Sequence, residues 1–133
     1  MNNQGGLTSL IVVVSIGLLF GLLLRLQPVS SANDKSRWST VWSLNLGQGY
    51  VIDETPYPTI DKVKRGDHFY SSKPALLPTL IAGLVWAIGL VTGMTLPDNQ
   101  GFIVRLVLFL INLIPFAWLL VLYSRLRTRF LSK

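Results

Sequence analysis

Apolar residues along this chain fall into three long runs separated by polar stretches. The first, Leu7 to Leu24, and the second, Pro74 to Pro97, contain no charged side chain; the third, Phe102 to Tyr123, contains only Arg105 near its start. A helix that crosses the roughly 30 Å of bilayer hydrocarbon needs about 20 such residues, and each run meets that length. In lipid the backbone must satisfy its own hydrogen bonds, so the runs are expected to be helical. The pattern predicts an all-α membrane protein: three transmembrane helices with a partly helical loop between the first and second. Residues 1–6 are then an N-terminal tail, 7–27 the first span, 28–73 an extramembrane loop, 74–97 the second span, 102–124 the third and 125–133 a basic C-terminal tail. Pro78 and Pro115 are expected to kink spans and not to end them.

The loop carries a periodicity of its own. Trp38, Val41, Trp42 and Leu46 recur at helical spacing and Gly47 is placed to stop the helix, which predicts an amphipathic helix over 36–46. Its tryptophan face suits either a membrane interface or packing on another loop element. Tyr50-Val51-Ile52 reads as extended, Pro56 and Pro58 keep the next stretch out of regular helix, and a second short helix fits 59–64.

Composition narrows the class. Half of the residues are hydrophobic and mean hydropathy is +0.50, as expected for a membrane chain. The net charge of +6 would suit nucleic acid, but its distribution does not. The loop from Pro28 to Lys73 is close to neutral, with six cations against five acids, and the surplus is Arg25, Arg105, Arg125, Arg127, Arg129 and Lys133. Basic residues flanking spans anchor headgroups or set topology, so no nucleic-acid partner is expected. There is no cysteine, which removes disulfides, thiolate metal sites and thiol nucleophiles. Ser30-Ser31-Ala32 offers a signal-peptide cleavage pattern; Met1 to Gly6, lacking Lys and Arg, argues against one.

Two loop segments carry candidate chemistry: Asn33-Asp34-Lys35-Ser36-Arg37-Trp38 after the first run, and Phe69-Tyr70-Ser71-Ser72-Lys73-Pro74 before the second. In this order and setting they resemble the first extracytoplasmic loop of GT-C glycosyltransferases, the polytopic group that includes protein O-mannosyltransferases and lipid A aminoarabinose transferases. There an acid stands three residues before an Arg-aromatic pair that opens an amphipathic helix, and a Lys-Pro-Pro element leads into the second span. Here Asp34 precedes Arg37-Trp38 and Lys73-Pro74 stands at the membrane re-entry; Lys35 occupies a place often taken by a second acid, and Ala75 replaces the second proline.

The resemblance implies an inverting transfer from a polyprenyl-phosphate sugar donor. Asp34 would be the catalytic base, with Arg37 and Lys73 binding the lipid phosphate of the substrate. It also implies a longer enzyme of which this chain is the N-terminal module, inactive alone, in a bacterial inner membrane with the loop extracytoplasmic. The charge rule alone favours the opposite orientation. No metal ligands are assigned, and a divalent cation remains an open cofactor.

Other readings stand beside this one. Asp34 is equally placed to cap the loop helix. Asp53-Glu54 reads as a solvated turn, His68 as a thin metal site, and Lys62, Lys64 and Arg65 as a solvated or headgroup-facing surface. Gly89 and Gly93 form a GxxxG suited to helix packing, and Asn112 is expected to hydrogen-bond to a neighbouring helix or to backbone. Arg105 is expected to snorkel toward the Asp98 to Gly101 turn. The alternative function is a non-catalytic, three-span assembly or accessory protein with a helix-packing partner.

Overall fold

The computed structural model describes residues 3–25 and 27–131, with side chains placed over 9–22 and 27–126. In chain order it contains helix α1 (Asn3–Arg25), helix α2 (Ala32–Asn45), strands β1 (Lys62–Arg65) and β2 (His68–Ser71), helix α3 (Leu76–Thr92) and helix α4 (Gln100–Leu131). Two compact units result: Gln27–Val107, and α1 with α4 from Leu108 onward.

The expectation of an all-α protein with three transmembrane helices is overturned on two counts. First, the loop contains an antiparallel hairpin, with Lys62 opposite Ser71, Val63 opposite Tyr70, Lys64 opposite Phe69 and Arg65 opposite His68. Gly66-Asp67 makes its two-residue turn; φ is +62° at Gly66 and not positive at Asp67, the arrangement of a type II′ turn. The short helix expected over 59–64 is therefore absent, and a strand starts at Lys62. Second, among the described residues only Gln100–Leu126 is long and apolar enough to cross a membrane. The apolar segment of α1 covers Ser9–Leu22, and α3 has 17 residues. At 1.5 Å per residue α3 rises about 25 Å, short of the roughly 30 Å core.

Gly93 is the reason α3 ends early. Its φ of +73° turns the chain into the left-handed region, where its N–H reaches the Gly89 carbonyl at 2.8 Å. A Cβ on Gly89 would stand 3.1 Å from the Met94 carbonyl oxygen. The GxxxG thus builds the C-terminus of α3. Pro78 lies in the first turn of α3, where its missing N–H costs no helical bond. Pro115 lies within α4, which continues past it.

The unit Gln27–Val107 is built on α2. That helix starts four residues before the expected 36–46, because Ser31 caps it: Ser31 Oγ accepts the Asp34 N–H at 3.1 Å and donates to Asp34 Oδ2 at 2.5 Å. Trp38 and Val41 are buried as expected, whereas Leu46 is exposed and ends the helix. The rest of the buried face is polar and small: Ser36, Ser39, Thr40 and Ser43. Short hydroxyl side chains let the irregular stretch 55–61 lie directly on the helix. Ser39 Oγ donates to the Tyr57 carbonyl at 3.1 Å and accepts from Thr55 at 2.9 Å; Thr59 Oγ1 donates to the Ala32 carbonyl at 3.0 Å. Val51-Ile52 is extended as predicted and pairs with the edge of β2 through the Val51–Tyr70 bridge and the Ile52 N–H to Phe69 carbonyl bond. Ile52, Tyr57, Ile81, Val85, Ile88, Leu96, Ile103, Val104 and Val107 complete the core.

In the other unit, Phe20 and Phe109 meet edge to face at 5.6 Å. Asn112 donates to the Leu108 carbonyl at 2.7 Å, one turn back on its own helix. The apolar side chains Leu10, Val13, Leu18, Trp118, Leu119 and Tyr123 are exposed. The N-terminal tail expected over 1–6 becomes helical by Asn3, and the tail expected over 125–133 is helical to Leu131. The side chains of Arg25, Arg127, Arg129 and Lys133 lie outside the described residues.

Candidate functional site

The end of β2, the start of β1 and one face of α2 converge on a polar centre at Asp61. Lys73, two residues beyond β2, forms an ion pair with Asp61, Nζ to Oδ2 at 2.6 Å. The Ser72 hydroxyl donates to the same carboxylate. The Asp61 carbonyl accepts from Ser36 Oγ at 2.5 Å; Ser36 also meets Ser71 Oγ at 2.7 Å, and Ser71 accepts the Lys73 N–H at 3.1 Å. Thr59 Oγ1 takes the Asp61 N–H at 3.0 Å, which turns the chain into β1. Lys73, Ser72 and the charge of Arg37 together hold the Asp61 carboxyl below its ordinary value. Both partners of the pair are partly exposed, with 25% of the Lys73 side chain and 21% of the Asp61 side chain accessible. An ammonium has three donors, so Lys73 can hold Asp61 and still offer a proton to an incoming anion.

Of the three residues singled out by sequence, only Lys73 pairs with a carboxylate, and that carboxylate is Asp61; Arg37 acts on it through its charge alone. Asp34 lies in the first turn of α2, bonded to Ser31, where an acid is favoured by free amides and the helix dipole. A carboxylate accepting a single hydroxyl keeps further lone pairs able to take a proton. Asp61 was legible only in part: Thr59-x-Asp61 has the pattern of a hydroxyl turn, but its partner stands twelve positions on across a hairpin.

A second polar cluster flanks the hairpin. Asp53 accepts the Phe69 N–H at 2.7 Å through Oδ1 and meets His68 Nδ1 at 2.7 Å through Oδ2. Those two bonds, His68 first, hold the Asp53 carboxyl below its ordinary value. Asp53 and Glu54 lie exposed in a turn, as expected, and from that turn Asp53 also ties the extended segment to β2. Lys62 Nζ lies 4.1 Å and Lys64 Nζ 5.9 Å from the Phe69 ring centroid, so aromatic packing claims part of that basic surface. Among the described residues no group of three His, Asp or Glu side chains converges to hold a metal ion.

Tyr57 anchors the irregular stretch against α2. It is 5% exposed, packs edge to face on Trp42 at 6.1 Å, and burial pushes its phenol up to about 12. No family model, curated protein or solved structure matches this chain.

Proposed function

We propose that the chain belongs to a membrane glycosyltransferase that takes its sugar from a polyprenyl phosphate, with Lys73 binding the lipid phosphate. The observation that carries this reading is the Asp61–Lys73 pair: a partly exposed ammonium held by one carboxylate that an anion can displace. The donor is a phosphodiester with one negative charge; as the sugar leaves, the lipid phosphate becomes a monoester carrying up to two, and in that state it outcompetes the single Asp61 carboxylate for Lys73. Asp61 then keeps the Lys73 side chain in place between turnovers, and Asp34 supplies the base that takes the acceptor hydroxyl's proton. The protein is placed in a bacterial inner membrane through α4, with the unit Gln27–Val107 outside the cytoplasm. Donor and acceptor cavities require further helices around these residues, and transfer by this chain alone is expected to be negligible.

Binding of a polyprenyl phosphate to the detergent-solubilised chain tests the reading. Lys73→Ala is expected to weaken it about tenfold, the loss of one charge-assisted contact. Unchanged affinity in a folded Lys73→Ala protein would remove the basis of the proposal.

A second reading is favoured by a different observation. Asp34 is engaged in capping, and Leu76, Leu80, Trp86, Leu90 and Val91 leave one side of α3 exposed and apolar. A non-catalytic assembly or accessory protein would use that side for a partner and need no base. Under it, Asp34→Asn alters only stability, whereas in the transferase reading it lowers transfer in the complete enzyme by about 10²-fold or more.

A further inference from the structure

A groove of about 320 Å³ lies in the unit Gln27–Val107, away from the Asp61–Lys73 centre. Its chemically active lining is Lys35, Tyr57, Gln100 and Arg105, with Gly101 beside them. Two of these residues carry buried polar atoms with no hydrogen-bond partner: the Tyr57 hydroxyl and Arg105 Nε. Such atoms are uncommon in folded proteins, because each loses water and gains nothing in return. The Tyr57 hydroxyl sits beside the Gln100 side chain but outside hydrogen-bonding geometry.

Arg105 is held in place from its own helix. Its Nη1 donates to the Gly101 carbonyl at 3.1 Å, and the guanidinium lies so close that a Cβ on Gly101 would stand 3.3 Å from Nη1. This arrangement folds the side chain back over the first turn of α4 and leaves Nε without a protein acceptor. Lys35 adds a second cation from the first turn of α2. Among the described residues no carboxylate lines the groove. Two cations, a phenol that stays protonated and an amide thus surround a space several times the roughly 30 Å³ share of one water molecule.

We propose that this groove binds a phosphate group, with Arg105 and Lys35 as its counter-charges and the Tyr57 hydroxyl and Gln100 amide as neutral donors. Phosphate oxygens are strong acceptors, and a single group supplies partners to both unpartnered atoms. Its position indicates a source. Gln100, Gly101 and Arg105 open the only helix among the described residues long and apolar enough to span a bilayer; with that helix in a bilayer, its first turn would lie at the level of the lipid phosphates. The inference does not rest on the glycosyltransferase reading, since it uses neither Asp34 nor Lys73.

The test is equilibrium binding to the full chain in zwitterionic detergent, with dioctanoyl phosphatidic acid, inorganic phosphate and uncharged dioctanoylglycerol as probes. Phosphatidic acid is expected to bind, and Arg105→Gln combined with Lys35→Gln to weaken it more than about tenfold. Tyr57→Phe keeps the ring and removes only a hydroxyl without a partner, so it is expected to leave the fold intact and weaken binding about threefold. Gly101→Ala removes no donor but presses on Nη1, and should also weaken binding. Binding of phosphatidic acid alone identifies a lipid headgroup; comparable binding of inorganic phosphate identifies free phosphate as a sufficient ligand. The inference is overturned if neither phosphate probe binds, if dioctanoylglycerol binds as well as phosphatidic acid, or if affinity ignores Tyr57 and Arg105 and instead follows Lys73→Ala. Thermal melts of each variant distinguish lost binding from lost folding.

Discussion

Asp34 and Asp61 show how far a residue's role depends on what the fold brings to it. Both are aspartates whose carboxylates accept a serine hydroxyl, yet one closes a helix N-terminus and the other joins a strand, a helix face and the approach to α3. The consequence is measurable with pH. Asp61 is held below its ordinary value by Lys73 and Ser72, and Asp53 by His68 and the Phe69 amide. A carboxylate whose folded pKa lies below its unfolded one contributes stability that is complete above the unfolded value and is lost as pH falls through the folded one. Thermal melts are therefore expected to change little with these carboxylates above about pH 5 and to drop from about pH 4 downward. Asp61→Asn should lower the neutral plateau and flatten that acid limb, and Asp53→Asn should do the same. An acid limb of unchanged steepness in the double variant would mean that other carboxylates govern it.

At the scale of elements, the periodicity of α2 was legible in Trp38 and Val41, while its working face was not. The serines at 36, 39 and 43 read as polar and solvent-facing in one dimension. All three are fully buried: the hydroxyls of Ser36 and Ser39 hold the 55–61 segment, while that of Ser43 has no hydrogen-bond partner. The hairpin was hidden by a different cause. Its strands have four residues each and β1 is exposed throughout, so no alternation of apolar and polar positions marks them. What does mark them is Gly66-Asp67 at the turn. An L-residue at φ +62° is disfavoured by about 1 kcal/mol or more, so Gly66→Ala is expected to lower stability by roughly that amount. Because Lys73 reaches Asp61 across this hairpin, the same variant should also reduce the ion pair's contribution. A chemical-denaturation midpoint equal to that of the parent would show that the turn does not hold the hairpin.

For the whole molecule, exposed apolar side chains are the dominant fact. Leu80, Trp86 and Leu90 lie open in the unit Gln27–Val107, and Leu18, Trp118 and Leu119 lie open in the other unit; apolar exposure on this scale marks surfaces that contact lipid or a partner. The chain is expected to remain with the membrane fraction through alkaline carbonate and to leave it only in detergent. Recovery in the carbonate supernatant would contradict this. Orientation is decided by a probe on the exposed hairpin turn. Asp67→Cys introduces the only thiol and should react with a membrane-impermeant maleimide in intact cells. Protection until lysis would put the unit Gln27–Val107 inside, as the charge rule alone suggests.

The sequence by itself determined roughly where the apolar helices lie and where α2 packs Trp38 and Val41, because hydrophobic period is a local property. Tertiary structure decided the rest. A left-handed turn at Gly93 shortened α3, buried hydroxyls fastened an irregular segment to α2, and a hairpin brought Asp61 to Lys73. Each of these depends on which backbone atoms meet across sequence separation, and a one-dimensional pattern does not encode that.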